Sequence, residues 1–259
     1  MNQQAQQSRP TGEGSHPLLS VQLYTVREAL AADLPGTLAR LAELGLEQVE
    51  PFGILTFDGL ADGLAAAGLA APTAHQGFLG DDPRAAFERA RELGVSTIID
   101  PFTQPERWQD AGEVRRIADQ LASASEVAAE YGLRVGYHNH AHEVASVLEG
   151  QTALELLAAN LPDAVALEVD TYWVAVGGAD PVALLERLGD RVVALHVKDG
   201  PGTEDTLDQV AVGQGSLPVR DIIAARPDAL RVVELDDSRG DRFQAVADSI
   251  AYLTSEGLA

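Results

Sequence analysis

Residues 164–199 read AVALEVDTYWVAVGGADPVALLERLGDRVVALHVKD. The stretch opens on one apolar run, AVALEVD, and closes on another, RVVALHVKD, with the amphipathic segment PVALLERLG between them. Short apolar runs bounded by turn residues read as buried strands, and Gly189 stands where a helix needs a left-handed residue at its C-terminus. Strand, helix and strand in that order form a crossover unit whose two strands lie parallel. The first strand ends in Asp170, and the second in His196, Lys198 and Asp199.

Working outward in both directions, the same unit recurs. Eight runs read as strands: 18–23, 46–52, 69–75, 95–102, 133–140, 164–170, 191–199 and 230–236. Helical stretches are expected near 35–44, 56–67, 83–93, 111–131, 151–160, 180–188, 218–225 and 240–256. Gly45, Gly68, Gly94, Gly132 and Gly189 each stand between a helical pattern and the next apolar run. Strict alternation over eight units predicts a single α/β domain, a closed (β/α)₈ TIM barrel over 17–259. An open doubly wound sheet would carry a glycine-rich phosphate loop after its first strand, and LLSVQLYTVRE has none. The polar start, residues 1–16, is expected to be flexible.

With 259 residues, 46% of them hydrophobic, the chain can build a large core. No run of 18 apolar residues occurs, and the start has no apolar signal region, so the expectation is a cytoplasmic protein without membrane association. A net charge of −22 and the lack of any basic run argue against nucleic acid as a partner. Zero cysteines exclude disulfides, thiolate metal sites and cysteine nucleophiles. Whether chains self-associate stays open.

In such barrels chemistry is done at the C-terminal ends of the strands, and this chain gathers its unusual residues there. The predicted strands end at Gln22, Glu50, His75, Asp100, His138 and His140, Asp170, His196 and Lys198, and Glu234 and Asp236. Of six histidines, only His16 lies outside the strand ends and the loop beyond them. Lys198 is the one lysine in a chain that otherwise uses arginine, which suggests work for a compact ammonium. Asp170, His196 and Glu234 come from consecutive strands, and period-two alternation turns all three to the pore if Val169, Leu195 and Val233 face the helices. This mixed N/O set suits one divalent ion (Mn²⁺, Co²⁺, Zn²⁺ or Mg²⁺, with Mn²⁺ preferred). A fourth ligand is expected from strand 5, where His138 and His140 share a face and Glu143 can fold back. Glu168 and Asp199 read as supporting residues.

The stretches SVQLYTVREAL, LAELGLEQVEPFG, TAHQGF, GYHNHAHEV, LEVDTYW, ALHVKDG, VGQG and VVELD run through nearly the whole chain from Leu18. Together they resemble the sugar phosphate isomerase/epimerase family of xylose isomerase-like, AP-endonuclease-2-like barrels. The resemblance implies a metal held by Glu, Asp, His and Glu from strands 5 to 8, here Glu143, Asp170, His196 and Glu234. Many relatives place the first Glu on strand 5 itself, where this chain has His138, which makes His138 the other candidate. It also implies an isomerase or epimerase acting on a small sugar or polyol carbonyl compound through a metal-stabilised enediolate. His138 or His140 would then be the base, Lys198 the oxyanion partner, and Glu50, His75 and Trp173 the pocket lining. The alternatives are a dehydratase or lyase on an inosose or 3-keto-glycoside, an endonuclease IV-like phosphodiesterase, and a non-catalytic sugar-binding barrel. Histidine in place of a strand-5 carboxylate tilts the balance toward elimination.

Overall fold

The computed structural model describes residues 19–259, so the polar leader 1–16 lies outside the described residues. In chain order the strands are β1 (Leu19–Val21), β2 (Thr73–His75), β3 (Thr97–Asp100), β4 (Arg134–His138), β5 (Val147–Leu148), β6 (Gln151–Thr152), β7 (Val165–Asp170), β8 (Val192–Val197) and β9 (Leu230–Val233). Seven of them form one parallel sheet in the order β1-β9-β8-β7-β4-β3-β2, while β5 and β6 pair separately as a small hairpin.

The gap between β1 and β2 is filled by residues 48–52. Glu50 N donates to Val21 O (2.8 Å) and Leu23 N to Glu50 O (2.9 Å) on one side; Val49 N donates to Ala70 O (2.9 Å) and His75 N to Pro51 O (2.8 Å) on the other. The eighth stave is thus present as isolated bridges rather than a continuous ladder. Pro51, which has no N–H to give, interrupts it. The sheet closes, and the fold is the expected α/β TIM barrel.

The helices bury their apolar stripes against this cylinder. In Ala111–Glu130, Val114, Ile117, Ala118, Leu121 and Ala128 recur at helical spacing and are buried, and Asp110 caps the first turn by accepting from Glu113 N (2.9 Å). All five junction glycines adopt positive φ, from 59° at Gly189 to 89° at Gly45. A side chain there would impose the left-handed strain that glycine escapes.

Three pieces differ from the sequence reading. Beyond β4 the chain forms a short helix, Ala141–Ala145, and then the β5–β6 hairpin, whose turn holds Glu149 at φ 55°. After β7 comes a helix at Thr171–Val176, and after β1 a 3₁₀ turn at Leu23–Val26 leads into Arg27–Ala32. All are too short for a repeating helical pattern to stand out in sequence; Gln22 caps the 3₁₀ turn and Asp170 the Thr171–Val176 helix. Among the described residues no helix is long and apolar enough to cross a membrane.

Candidate active site and metal centre

Ladder register decides which side chains meet. In the β4–β7 pair His138 stands opposite Glu168, and in the β7–β8 pair Asp170 stands opposite His196. Alternation turns Glu168 and Asp170 to the same side, with Val169 between them facing the helices. Asn139 locks the end of β7 by accepting from Asp170 N (3.0 Å) and donating to Asp170 O (3.3 Å).

Asp170, His196 and Glu234, the trio expected from the sequence, converge with one ligand-type atom each within 4.8 Å of one another. All three are buried. Asp170 Oδ1 caps the Thr171–Val176 helix by accepting from Trp173 N (3.0 Å). Its Oδ2 is buried without an aligned hydrogen bond, and Lys198 Nζ lies 2.9 Å away. Glu234 Oε2 is 2.7 Å from both His196 Nδ1 and Lys198 Nζ. Lys198 also reaches Asp236 (2.7 Å), which Gln209 holds through Nε2 (2.8 Å) and by accepting from Asp236 N (2.7 Å). A buried carboxylate oxygen met only by the Lys198 ammonium, beside an imidazole and a second acid, is a donor set that fits a divalent ion.

A second group lies deeper. His75, His138, Glu168 and His196 also offer atoms within 4.8 Å of one another. Glu168 Oε2 is 2.5 Å from His75 Nε2, 3.1 Å from His138 Nδ1 and 3.0 Å from His196 Nε2. Glu50 joins from the bridged stave, accepting from Gln22 Nε2 (2.8 Å) and facing His196 Nε2 (2.8 Å). Glu168 belongs at the centre of this group and not at its margin. The alternation that points Asp170 inward does the same for the residue two before it, and this was the legible signal.

Glu143 is placed elsewhere. At the first turn of the Ala141–Ala145 helix it takes His140 N on Oε2 (2.8 Å) and the Tyr137 hydroxyl on Oε1 (2.8 Å), with His142 Nε2 at 3.2 Å. It belongs to neither convergent group, because both its oxygens are spent on local hydrogen bonds; strand 5 sends His138 to the pore instead. Trp173 sits over a neighbouring hollow with His140 and His142, its ring 5.7 Å from Lys198 Nζ. Asp100 braces a loop by accepting from Phe78 N (2.8 Å) and Leu79 N (2.9 Å). Asp199 does the same for the VGQG segment, accepting from the backbone of Gly200, Gly213, Gly215 and Leu217.

Electrostatics divides these groups sharply. Burial lowers Lys198, but Asp170, Asp236 and Glu234 more than reverse this and hold it charged. Burial likewise opposes protonation of His196 and His75, yet adjoining carboxylates raise both. Burial raises Asp170 to about 6, despite Lys198 and His196. Burial pushes His140 down to about 4 and His138 well below the usual histidine range. His140 Nδ1 is buried with no partner. The mouth above opens as a cavity of about 360 Å³ lined by His75, His138, His140, Glu234, Tyr24 and Phe102 among others.

A parallel eight-stave barrel with a polar cluster at the C-terminal ends of its strands has the layout of the TIM-barrel class. The chain belongs to the xylose isomerase-like TIM barrel family, whose sequence model matches residues 23–255. It is 37% identical over 114 residues, 42% of its length, to an inosose dehydratase of Geobacillus kaustophilus, spanning about a third (36%) of that relative. A sugar phosphate isomerase/epimerase of Parabacteroides distasonis has the same fold, with a TM-score of 0.79 at 22% identity, covering 95% of this chain and 97% of that one. So has an IOLI protein crystallised with a bound zinc atom, with a TM-score of 0.69 at 17% identity over 93% and 98% of the two chains.

Proposed function

We propose that this chain is a divalent-metal-dependent dehydratase of a small polyhydroxylated cyclic ketone of the inosose type. This places elimination ahead of the isomerase or epimerase expected first from the sequence. The relative named inosose dehydratase supports that order. The observation that carries it is the pairing of an imidazole kept neutral with an ammonium kept charged at one mouth: His140, whose buried Nδ1 has no partner, and Lys198 among three carboxylates. Losing water from a β-hydroxy ketone needs a base for the C–H proton and a cation for the enolate oxygen, whereas epimerisation calls for bases on two faces.

Asp170, His196 and Glu234 would hold the ion. A bound divalent ion supplies Lewis-acid polarisation of a carbonyl and its neighbouring hydroxyl. His140 takes the proton from the carbon next to the carbonyl, and the C–H electron pair becomes the enolate double bond. The enolate oxygen is met by Lys198. The pair then returns to expel the β-hydroxyl, which leaves as water with the proton that His140 carried. His75 lines the cavity with Glu50 buried behind it (3.3 Å), and Tyr24 and Phe102, both partly exposed at the rim, give apolar faces to ring C–H groups.

The test is to incubate metal-loaded protein with inososes, 3-keto-glycosides and ketoses and to weigh the products. Loss of one water from an inosose supports the dehydratase. A product of unchanged mass with exchanged stereochemistry returns the reading to an epimerase, and no turnover across the panel refutes both. Asp170→Ala and Glu234→Ala should remove the ion from this group and abolish turnover.

A further inference from the structure

The inner group is more than a support for the outer one. His75, His138 and Glu168 are buried, and with His196 they form a three-imidazole, one-carboxylate cluster. Two further atoms aim at nothing: Glu168 Oε1 and Glu50 Oε2 are buried with no hydrogen-bond partner. Buried acceptors of this kind are costly unless a cation meets them. His196 lies between the groups, with Nδ1 toward Glu234 (2.7 Å) and Nε2 toward Glu50 (2.8 Å) and Glu168 (3.0 Å).

We propose that His75, His138, Glu168 and the Nε2 face of His196 form a second divalent-cation site, so that the barrel holds two ions bridged by the His196 imidazolate, whose remaining ring proton is released as the second ion binds.

Charge supports this. The two groups bring together five carboxylates (Glu50, Glu168, Asp170, Glu234 and Asp236) and a single ammonium, Lys198, which meets only the last three. With neutral imidazoles, one divalent ion at the outer group leaves two negative charges in a dry interior, and they lie beside the inner group. Geometry supports it too. Three imidazole nitrogens converge on Glu168 Oε2 within 3.1 Å, whereas a hydrogen-bonded network would need an N–H on every one of them and a further proton on His196 for Glu234. The donor chemistry makes the sites unlike. The outer group is oxygen-rich and accepts Mn²⁺ or Mg²⁺; the inner one is nitrogen-rich and prefers Zn²⁺ or Co²⁺. His75 and His138 line the cavity, so the inner ion would face substrate.

The experiment is metal stoichiometry of the full chain, loaded with Zn²⁺ or Co²⁺ and dialysed, read by elemental analysis and by Co²⁺ visible absorption. Two equivalents per chain are expected, falling to one in His75→Ala and in the near-isosteric Glu168→Gln, with circular dichroism unchanged. Asp170→Ala should keep one ion with the inner-site spectrum. One equivalent in the wild type at saturation, or two in both inner variants, overturns the proposal. A single ion lost in Asp170→Ala but kept in His75→Ala and Glu168→Gln would overturn it and leave the proposed dehydratase standing. A single ion kept in Asp170→Ala and lost in both inner variants would also overturn the two-ion proposal, and would take the ion of the proposed dehydratase from the outer group to the inner one.

Discussion

Lys198 shows how much one residue can be asked to do. Its ammonium is 2.7–2.9 Å from Asp170, Glu234 and Asp236 and is buried, so a planar guanidinium has neither the room nor the point charge to replace it. Lys198→Arg is expected to keep the outer ion and lose turnover by ~10²-fold, a typical loss for one oxyanion donor. Unchanged steady-state kinetics would remove Lys198 from the chemistry. For His140, burial holds the imidazole neutral down to about pH 4, so the acid limb of log kcat should fall near 4 and not near 6.5. His140→Ala should lower kcat by ~10²–10⁴-fold with metal content unchanged. A pH–rate profile that keeps its acid limb in the variant would point to another base. The identities of Asp170, His196, Glu234 and Lys198 were legible because each ends an apolar run. Glu168 was read as support because two acids at alternate positions look like one ligand and its helper, and only the facing strands bring three imidazoles to it.

At the scale of elements, the Ala141–Ala145 helix explains why Glu143 does not reach the pore. A five-residue helix cannot sustain itself, and its first turn depends on Glu143 accepting from the His140 amide and the Tyr137 hydroxyl. Glu143→Ala leaves the Tyr137 hydroxyl and the His140 amide without their acceptor and should cost about 1–3 kcal/mol in denaturant unfolding. Metal content should be unchanged; an ion lost in that variant would restore Glu143 as a ligand. Spacing places Glu143 one turn beyond the strand end, within folding-back distance. Whether it folds back depends on which partner it finds first, and the capping amide three residues away wins over a pore group on another strand. The stave at 46–52 follows similar logic: its apolar run announces a strand, and Pro51 reduces the ladder to bridges.

For the whole molecule, the cluster couples ions, protons and stability. Burial raises Asp170 to about 6 and also raises Glu50, with Glu168 adding to it; carboxylates raise His75 and His196 against burial. All four bind protons more tightly folded than unfolded, so their contribution is present at low pH and lost as pH rises through the folded values. Depressed His138 and His140, and depressed Glu168 and Glu234, act in the opposite sense, but only below about pH 6.5, the unfolded histidine value. Ion-free protein should therefore lose Tm as pH rises above about 6.5, the unfolded histidine value, where folded His75 and His196 still hold their protons. Divalent ions displace the same protons, so the rise in Tm on adding metal should grow over the same rise in pH. Calorimetry with and without chelator checks this, and a metal increment that shrinks with pH would contradict it.

The sequence by itself determined the barrel and the trio at its mouth. Eight apolar runs alternating with helices, five of them stopped by a glycine before the next run, leave a closed parallel sheet as the economical way to bury every strand, and strand-end position then assigns the pore. Tertiary structure alone decided the inner group. His75, His138, Glu168 and His196 are up to 121 residues apart (196 − 75), and ladder register and closure bring them within one ion's reach. Local chemistry is written along the chain, but how many charges share one dry space depends on which strands become neighbours.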